Sequence, residues 1–256
     1  MAHVFLSYPI LGKPEMKSVY AIYQSILSTP HTVRFFVNEN DSLISRVRNV
    51  HISNFLNDFP ECTHFMSIDS DIEILNAYHS NNIFNKLVSH DLDFVGGLYA
   101  LKNPNQVTCS SISIDGKTPE FDSGLAEMKW LSSGCWCVKR SVVEKMVDAY
   151  PELTYDGDDS AADKKVHGLY IPMLYDLKEG DFPDEELPFR KYLSEDWSFS
   201  ERWKAIGGKI FADTSIALRH IGRKDYELYP VRPEVKERPS PPPAGFDLEE
   251  KGETMK

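Results

Sequence analysis

The first hundred residues alternate short apolar runs with segments of helical period, and this alternation constrains the fold more than any other feature of the chain. His3-Val4-Phe5-Leu6-Ser7 reads as a strand that ends in Tyr8-Pro9. Pro14 suits a first helical turn, and Met16, Val19, Tyr23, Ile26 and Leu27 recur at helical spacing. Thr32 to Val37 forms a second strand, closed by Asn38-Glu39-Asn40-Asp41, and the spacing predicts a helix from Leu43 to Asn57. His64-Phe65-Met66-Ser67-Ile68 is a third strand and runs into Asp69-Ser70-Asp71. A helix over Asn81 to Ser89 precedes Asp93-Phe94-Val95-Gly96-Gly97. Strands joined through helices of this length build βαβ units. The expected class is therefore α/β, with a Rossmann-like, mostly parallel sheet and helices on both faces. Ligands of such sheets bind beyond the carboxyl ends of the strands.

The second half is less regular. Val107 to Ile114 reads as a β excursion turning at Asp115-Gly116. Lys129-Trp130-Leu131 leads through Ser132-Ser133-Gly134 into Cys135-Trp136-Cys137-Val138, and a helix over Ser141 to Ala149 follows. Residues 154–191 are acidic, interrupted by Pro and poorly periodic, which predicts a long loop or lid. A helix from Glu195 to Ile206, a strand over Lys209 to Ala212 and the segment Ala217 to His220 complete the ordered part. Residues 231–256 hold five Pro, many charges and almost no apolar residues, the composition of a flexible arm. The expected organisation is one domain over 1–230, with halves at 1–105 and 106–230, and a tail at 231–256.

Composition narrows the function classes. The 256 residues are 41% hydrophobic and 26% charged, ordinary for a globular chain. No apolar run approaches the ~20 residues of a membrane span. The opening segment lacks the basic lead of a signal peptide. The four Cys form no CxxC pair, so neither a zinc site nor a disulfide framework is expected, and the expected location is cytoplasmic. Net charge is −11, with 13 acids against 5 bases concentrated in residues 151–196. Such a chain binds nucleic acid poorly without a local basic groove, although a nucleic acid is not excluded as a reaction partner.

The stretch most suggestive of chemistry is Phe65 to Ile72. An apolar strand delivers two carboxylates, Asp69 and Asp71, at its carboxyl end, and residues i and i+2 of an extended chain point the same way. Both can reach one hard cation, and Mg²⁺ or Mn²⁺ suits such oxygen ligands. The same Asp-x-Asp also fits a surface turn or a helix cap. His220 offers an imidazole as a third ligand, or is a surface or capping His. Glu195 and Asp196 open a predicted helix, where the helix dipole alone favours acids; either could also serve as a general base. Gly134 allows a ligand close to the backbone, beside Trp136 as an aromatic platform or a core residue.

Taken in order, these pieces resemble the nucleotide-sugar-dependent glycosyltransferases of the GT-A fold. The resemblance runs over residues 3–222. It is carried by Ser7-Tyr8-Pro9, Ser42 to Asn49, Asp69-Ser70-Asp71, Gly96-Gly97-Leu98-Tyr99 with Lys102, Ser133-Gly134-Cys135, Glu195-Asp196 and His220, and leans toward the small bacterial and viral members. It implies that Asp71 ligates Mn²⁺ (or Mg²⁺) directly and that His220 completes the metal site. Asp69 would meet the donor ribose or reach the metal through water. Ser7, Tyr8, Pro9, Asn38 and Asp41 would cradle base and ribose. Arg46, Arg48 and Lys102 would lie near the donor phosphates or sugar, with Gly134 under a sugar ring. Asp196, or Glu195 beside it, would face the acceptor hydroxyl. The implied donor is a UDP- or GDP-linked sugar; the acceptor ranges from a saccharide to a modified DNA base. Two rivals stay open: a nucleotidyltransferase, and a sugar- or nucleotide-binding module without catalysis.

Overall fold

The computed structural model describes residues 1–39, 41–77, 81–103, 109–119, 124–158, 161–162, 164–178, 181, 190–222 and 225–227. The expected Pro-rich arm at 231–256 lies outside the described residues. In chain order the elements of the first half are β1 (His3–Ile10), α1 (Met16–Leu27), β2 (Thr32–Glu39), α2 (Ile44–Asn57), β3 (His64–Ile68), β4 (Ile72–Ile74), α3 (Ile83–Ser89) and β5 (Phe94–Gly97). The second half adds β6 (Ile112–Ser113), β7 (Leu125–Trp130), β8 (Cys135–Lys139), α4 (Arg140–Ala149) and a 3₁₀ turn at Pro151–Leu153. It continues with β9 (Thr154–Asp156), β10 (Lys165–His167), β11 (Met173–Asp176), β12 (Arg190–Leu193), α5 (Glu195–Ala205), β13 (Ile210–Asp213), β14 (Leu218–Ile221) and β15 (Asp225–Glu227).

Eight strands form one sheet in the order β2-β1-β3-β8-β5-β13-β7-β6. β1 pairs in parallel with β2 and β3, and β13 with β5; β8 and β7 run against their neighbours. Six of the eight strands therefore point one way, and the α/β, mostly parallel architecture is the one the alternation predicts. β8 lies between β3 and β5, so strands from both halves share a single sheet.

Side-chain alternation assigns each face its own core. On β1, Phe5 faces one side while Val4, Leu6 and Tyr8 face the other; on β8, Trp136 and Val138 oppose Cys135 and Cys137. One face is covered by α2, α4 and α5 through Phe55, Val142 and Phe199. The other is covered by α1 and α3 through Ile22 and Phe84. The four cysteines are buried and unbridged.

Two expectations change. The stretch from 154 to 191 is not an unstructured loop where it is described: β9 pairs with β10 and β11 with β12, each antiparallel. Tyr170 pins it to the core, fully buried and stacked on Phe199 at 4.7 Å, while its N–H donates to Asn49 Oδ1 at 2.8 Å. Strands of three or four residues are too short to show a period, which is why they read as loop. On α1, the apolar positions do not form one buried stripe. Ser18, Ala21, Ile22 and Ser25 are buried, whereas Met16, Tyr23 and Leu27 are exposed.

Candidate active site

β1, β2 and β3 end together, and the chain leaving each end builds a cleft of about 180 Å³. Pro9, Ile10, Ile44 and Val47 supply apolar walls, and Asp41, Asp69 and Asp71 supply carboxylates.

β4 explains how residues far apart in sequence meet here. It follows Asp71 directly and pairs antiparallel with β14, with His220 opposite Ile72. The Ile221 N–H donates to the Asp71 carbonyl at 2.8 Å. His220 Nε2 thereby lies 3.4 Å from Asp71 Oδ2. His220 Nδ1 is 2.8 Å from the Ala100 carbonyl oxygen. A carbonyl only accepts, so Nδ1 carries a proton, and Nε2 is the ring nitrogen that faces Asp71. Lys102 Nζ sits 2.5 Å from the same Asp71 oxygen. Burial works against the Asp71 charge, yet the bonds to His220 and Lys102 hold its carboxyl down at about 2.

Asp69 has a different counter-ion. Arg48, on the first turns of α2 and buried, reaches Asp69 Oδ1 at 2.5 Å and pairs through its other terminal nitrogen with Glu195 at the start of α5. Burial disfavours the guanidinium charge, but Asp69 and Glu195 more than offset it and raise its pKa. Burial also raises the Glu195 carboxyl, against the pull of Arg48. Asp196 turns back on its own helix end, where Oδ1 accepts from the Ser194 hydroxyl and from the Trp197 N–H at 2.8 Å. Its charge and that of Asp69 both act on the Tyr99 phenol.

Gly134 works through its backbone. Its carbonyl accepts from the Asp69 N–H at 3.0 Å, and its N–H donates to the Tyr99 hydroxyl at 3.0 Å. A Cβ there would stand 2.6 Å from the Tyr99 ring. The Tyr99 ring in turn meets His220 edge-on at 5.2 Å between centroids. Tyr99 and the Ala100 carbonyl thus fix the His220 ring, a role the sequence reading did not give them. Tyr99 stands in the Gly96 to Tyr99 segment already singled out, so an aromatic next to the Gly-Gly pair was the available signal.

The other expected residues separate. Pro9 and Asp41 line the cleft. Asn38 lies beside Pro9 across the β1–β2 pairing. The Ser7 hydroxyl is buried and bonded to His51 Nδ1 at 2.7 Å. Tyr8 is buried with its hydroxyl on Ser18 at 3.0 Å, so neither side chain opens onto the cleft. Arg46 is held on Asp41 by two bonds of 2.7 and 3.0 Å, which lower the Asp41 pKa.

Among the described residues, no group of three or more His, Cys, Asp and Glu side chains gathers as a ready metal site. Asp71 and His220 could supply a carboxylate oxygen and an imidazole nitrogen to a cation where they approach each other. No helix among the described residues is long and apolar enough to cross a membrane.

No family model matches the chain, and no curated protein matches it. Among solved structures, a glycosyltransferase involved in the glycosylation of the major capsid of PBCV-1 aligns over 58% of this chain and 66% of its own, at 13% identity and a TM-score of 0.35. The crystal structure of A197 from STIV aligns over 92% of this chain and 98% of its own, at 14% identity and a TM-score of 0.54. At that coverage the chain shares the overall fold of A197 from STIV.

Proposed function

We propose that this protein is a metal-dependent glycosyltransferase that moves a sugar from a nucleoside-diphosphate donor to an acceptor hydroxyl. One observation carries the reading. Asp71 and the oriented His220 converge at the mouth of a cleft that opens at the strand ends and joins apolar walls to carboxylates.

Each residue then has a task. The walls at Pro9, Ile44 and Val47 take the flat base, and Asp41 at the cleft edge accepts from the nucleoside. Asp71 and His220 would hold Mn²⁺ or Mg²⁺, and Asp69, paired with Arg48 through Oδ1, would reach the metal through water or meet the donor ribose. When bound, the cation stabilises the negative charge that develops on the departing diphosphate. Lys102, already beside Asp71, adds a second positive charge near the same phosphates. Asp196 is the proposed base: Oδ1 is anchored by the helix end, which leaves Oδ2 to take the acceptor proton. Glu195 is the proposed positioning partner, holding Arg48 and through it Asp69.

The test is turnover of UDP- and GDP-sugars in Mn²⁺ by wild type, Asp196→Asn and Glu195→Gln. Asp196→Asn is expected to bind donor normally and lose at least ~100-fold in transfer, the usual worth of a general base. Full turnover by that variant removes Asp196 from the mechanism. No donor hydrolysis or transfer by wild type with either nucleotide contradicts the function itself.

A further inference from the structure

Helix α1 is packed inside out. Its buried side is small, made of Ser18, Ala21, Ile22 and Ser25. Its outer side carries Met16, Tyr20, Tyr23 and Leu27, which are 71%, 61%, 56% and 62% exposed. At about 100° per residue these four fall within an arc of roughly 60°, so they form one stripe along the helix. The helix has no acidic residue and one basic residue, Lys17, so covering the stripe would bury no carboxylate. Phe35, 48% exposed, lies on the adjoining edge strand β2 and packs against Tyr8, which is bonded to Ser18 of α1.

We propose that this stripe is a self-association surface that joins two copies of the chain through antiparallel α1 helices. The spacing is self-complementary. A two-fold axis between positions 21 and 22 sets Met16 against the partner's Leu27 and Tyr20 against the partner's Tyr23, the reciprocal pattern an isologous interface needs. The area is sufficient. Aromatic side chains bury about 150–250 Å² each, so the stripe holds on the order of 500 Å² of open apolar surface. Pairing removes on the order of 1,000 Å² in total, the lower end of specific interfaces, and Phe35 adds to it. An interface of that size gives a reversible dimer.

Sedimentation velocity of the full chain tests this, and it is independent of the catalytic reading. The expected result is a mass that rises from monomer toward dimer through the micromolar range. Tyr20→Lys and Tyr23→Lys are expected to stay monomeric with unchanged circular dichroism, because both positions are exposed. Register is tested by mixing Met16→Cys protein with Leu27→Cys protein and adding a short thiol-to-thiol cross-linker. In the antiparallel pair these positions meet, whereas two copies of position 16 lie about 16 Å apart along the axis. Cross-linked dimer is expected in the mixture and in neither variant alone; the native cysteines are buried and stay silent. A wild-type monomer at every concentration, Lys variants that dimerise like wild type, or cross-linking of either variant alone would overturn the proposal.

Discussion

Arg48 is the side chain on which the most depends. It is buried between Asp69 and Glu195, and removing it strands two carboxylates with no cation between them. Breaking a buried ion pair from one side costs about 3–5 kcal/mol. Arg48→Met is therefore expected to lower stability by about that amount in urea unfolding, with Arg48→Lys intermediate. A second residue gives a pH signature away from the site. Asp213 accepts from the Ser215 N–H at 2.8 Å and hydroxyl at 2.6 Å, and lies 2.9 Å from His90 Nε2. Burial opposes its charge, but the Ser215 and His90 bonds outweigh burial and lower its pKa. A depressed carboxylate contributes fully above its unfolded value, about 3.9, and loses that contribution as pH falls through the lower folded value. Asp213→Asn is expected to be less stable at neutral pH by about 1–3 kcal/mol and to show a flatter loss of stability below about pH 4. Equal acid limbs in wild type and variant would contradict the assignment.

At the scale of elements, legibility follows locality. β3 and its carboxylates could be read because five strand residues and the acids that follow are contiguous. α2 begins at Ile44 and α3 at Ile83, one and two positions after the expected starts at Leu43 and Asn81. The meeting of Asp71 with His220 depends on β4 pairing with β14, and no local pattern announces a three-residue strand. The resemblance named both residues; only the pairing shows how they meet. Arg48 was expected near the phosphates, but its two carboxylate partners come from separate elements, and sequence does not reveal that closure. On α1, periodicity found an apolar helix but could not say which of its faces the sheet would take. Close packing between β5 and β8 leads to a further prediction. A Cβ on Gly96 would lie 2.5 Å from the Cys135 carbonyl oxygen and 2.9 Å from Trp136 Cβ. Gly96→Ala is expected to force those strands apart at a cost of about 1–3 kcal/mol, visible as a lower melting temperature.

For the whole molecule, one sheet with a core on each face leaves the strand ends free to carry chemistry. The cleft draws on β1, β3 and α2, His220 arrives through β14, and the α5 end brings Glu195. A ligand that bridges these elements and binds only the folded chain raises its melting temperature. The central claim is that Asp71 and His220 hold a divalent cation that in turn holds a diphosphate. Calorimetric titration of UDP and GDP into wild type and Asp71→Asn, each with and without Mn²⁺, tests it most directly. Wild type is expected to bind one of the two nucleotides only when Mn²⁺ is present, and Asp71→Asn to lose that binding. Binding that is equally strong without the metal, or unchanged in Asp71→Asn, would contradict it.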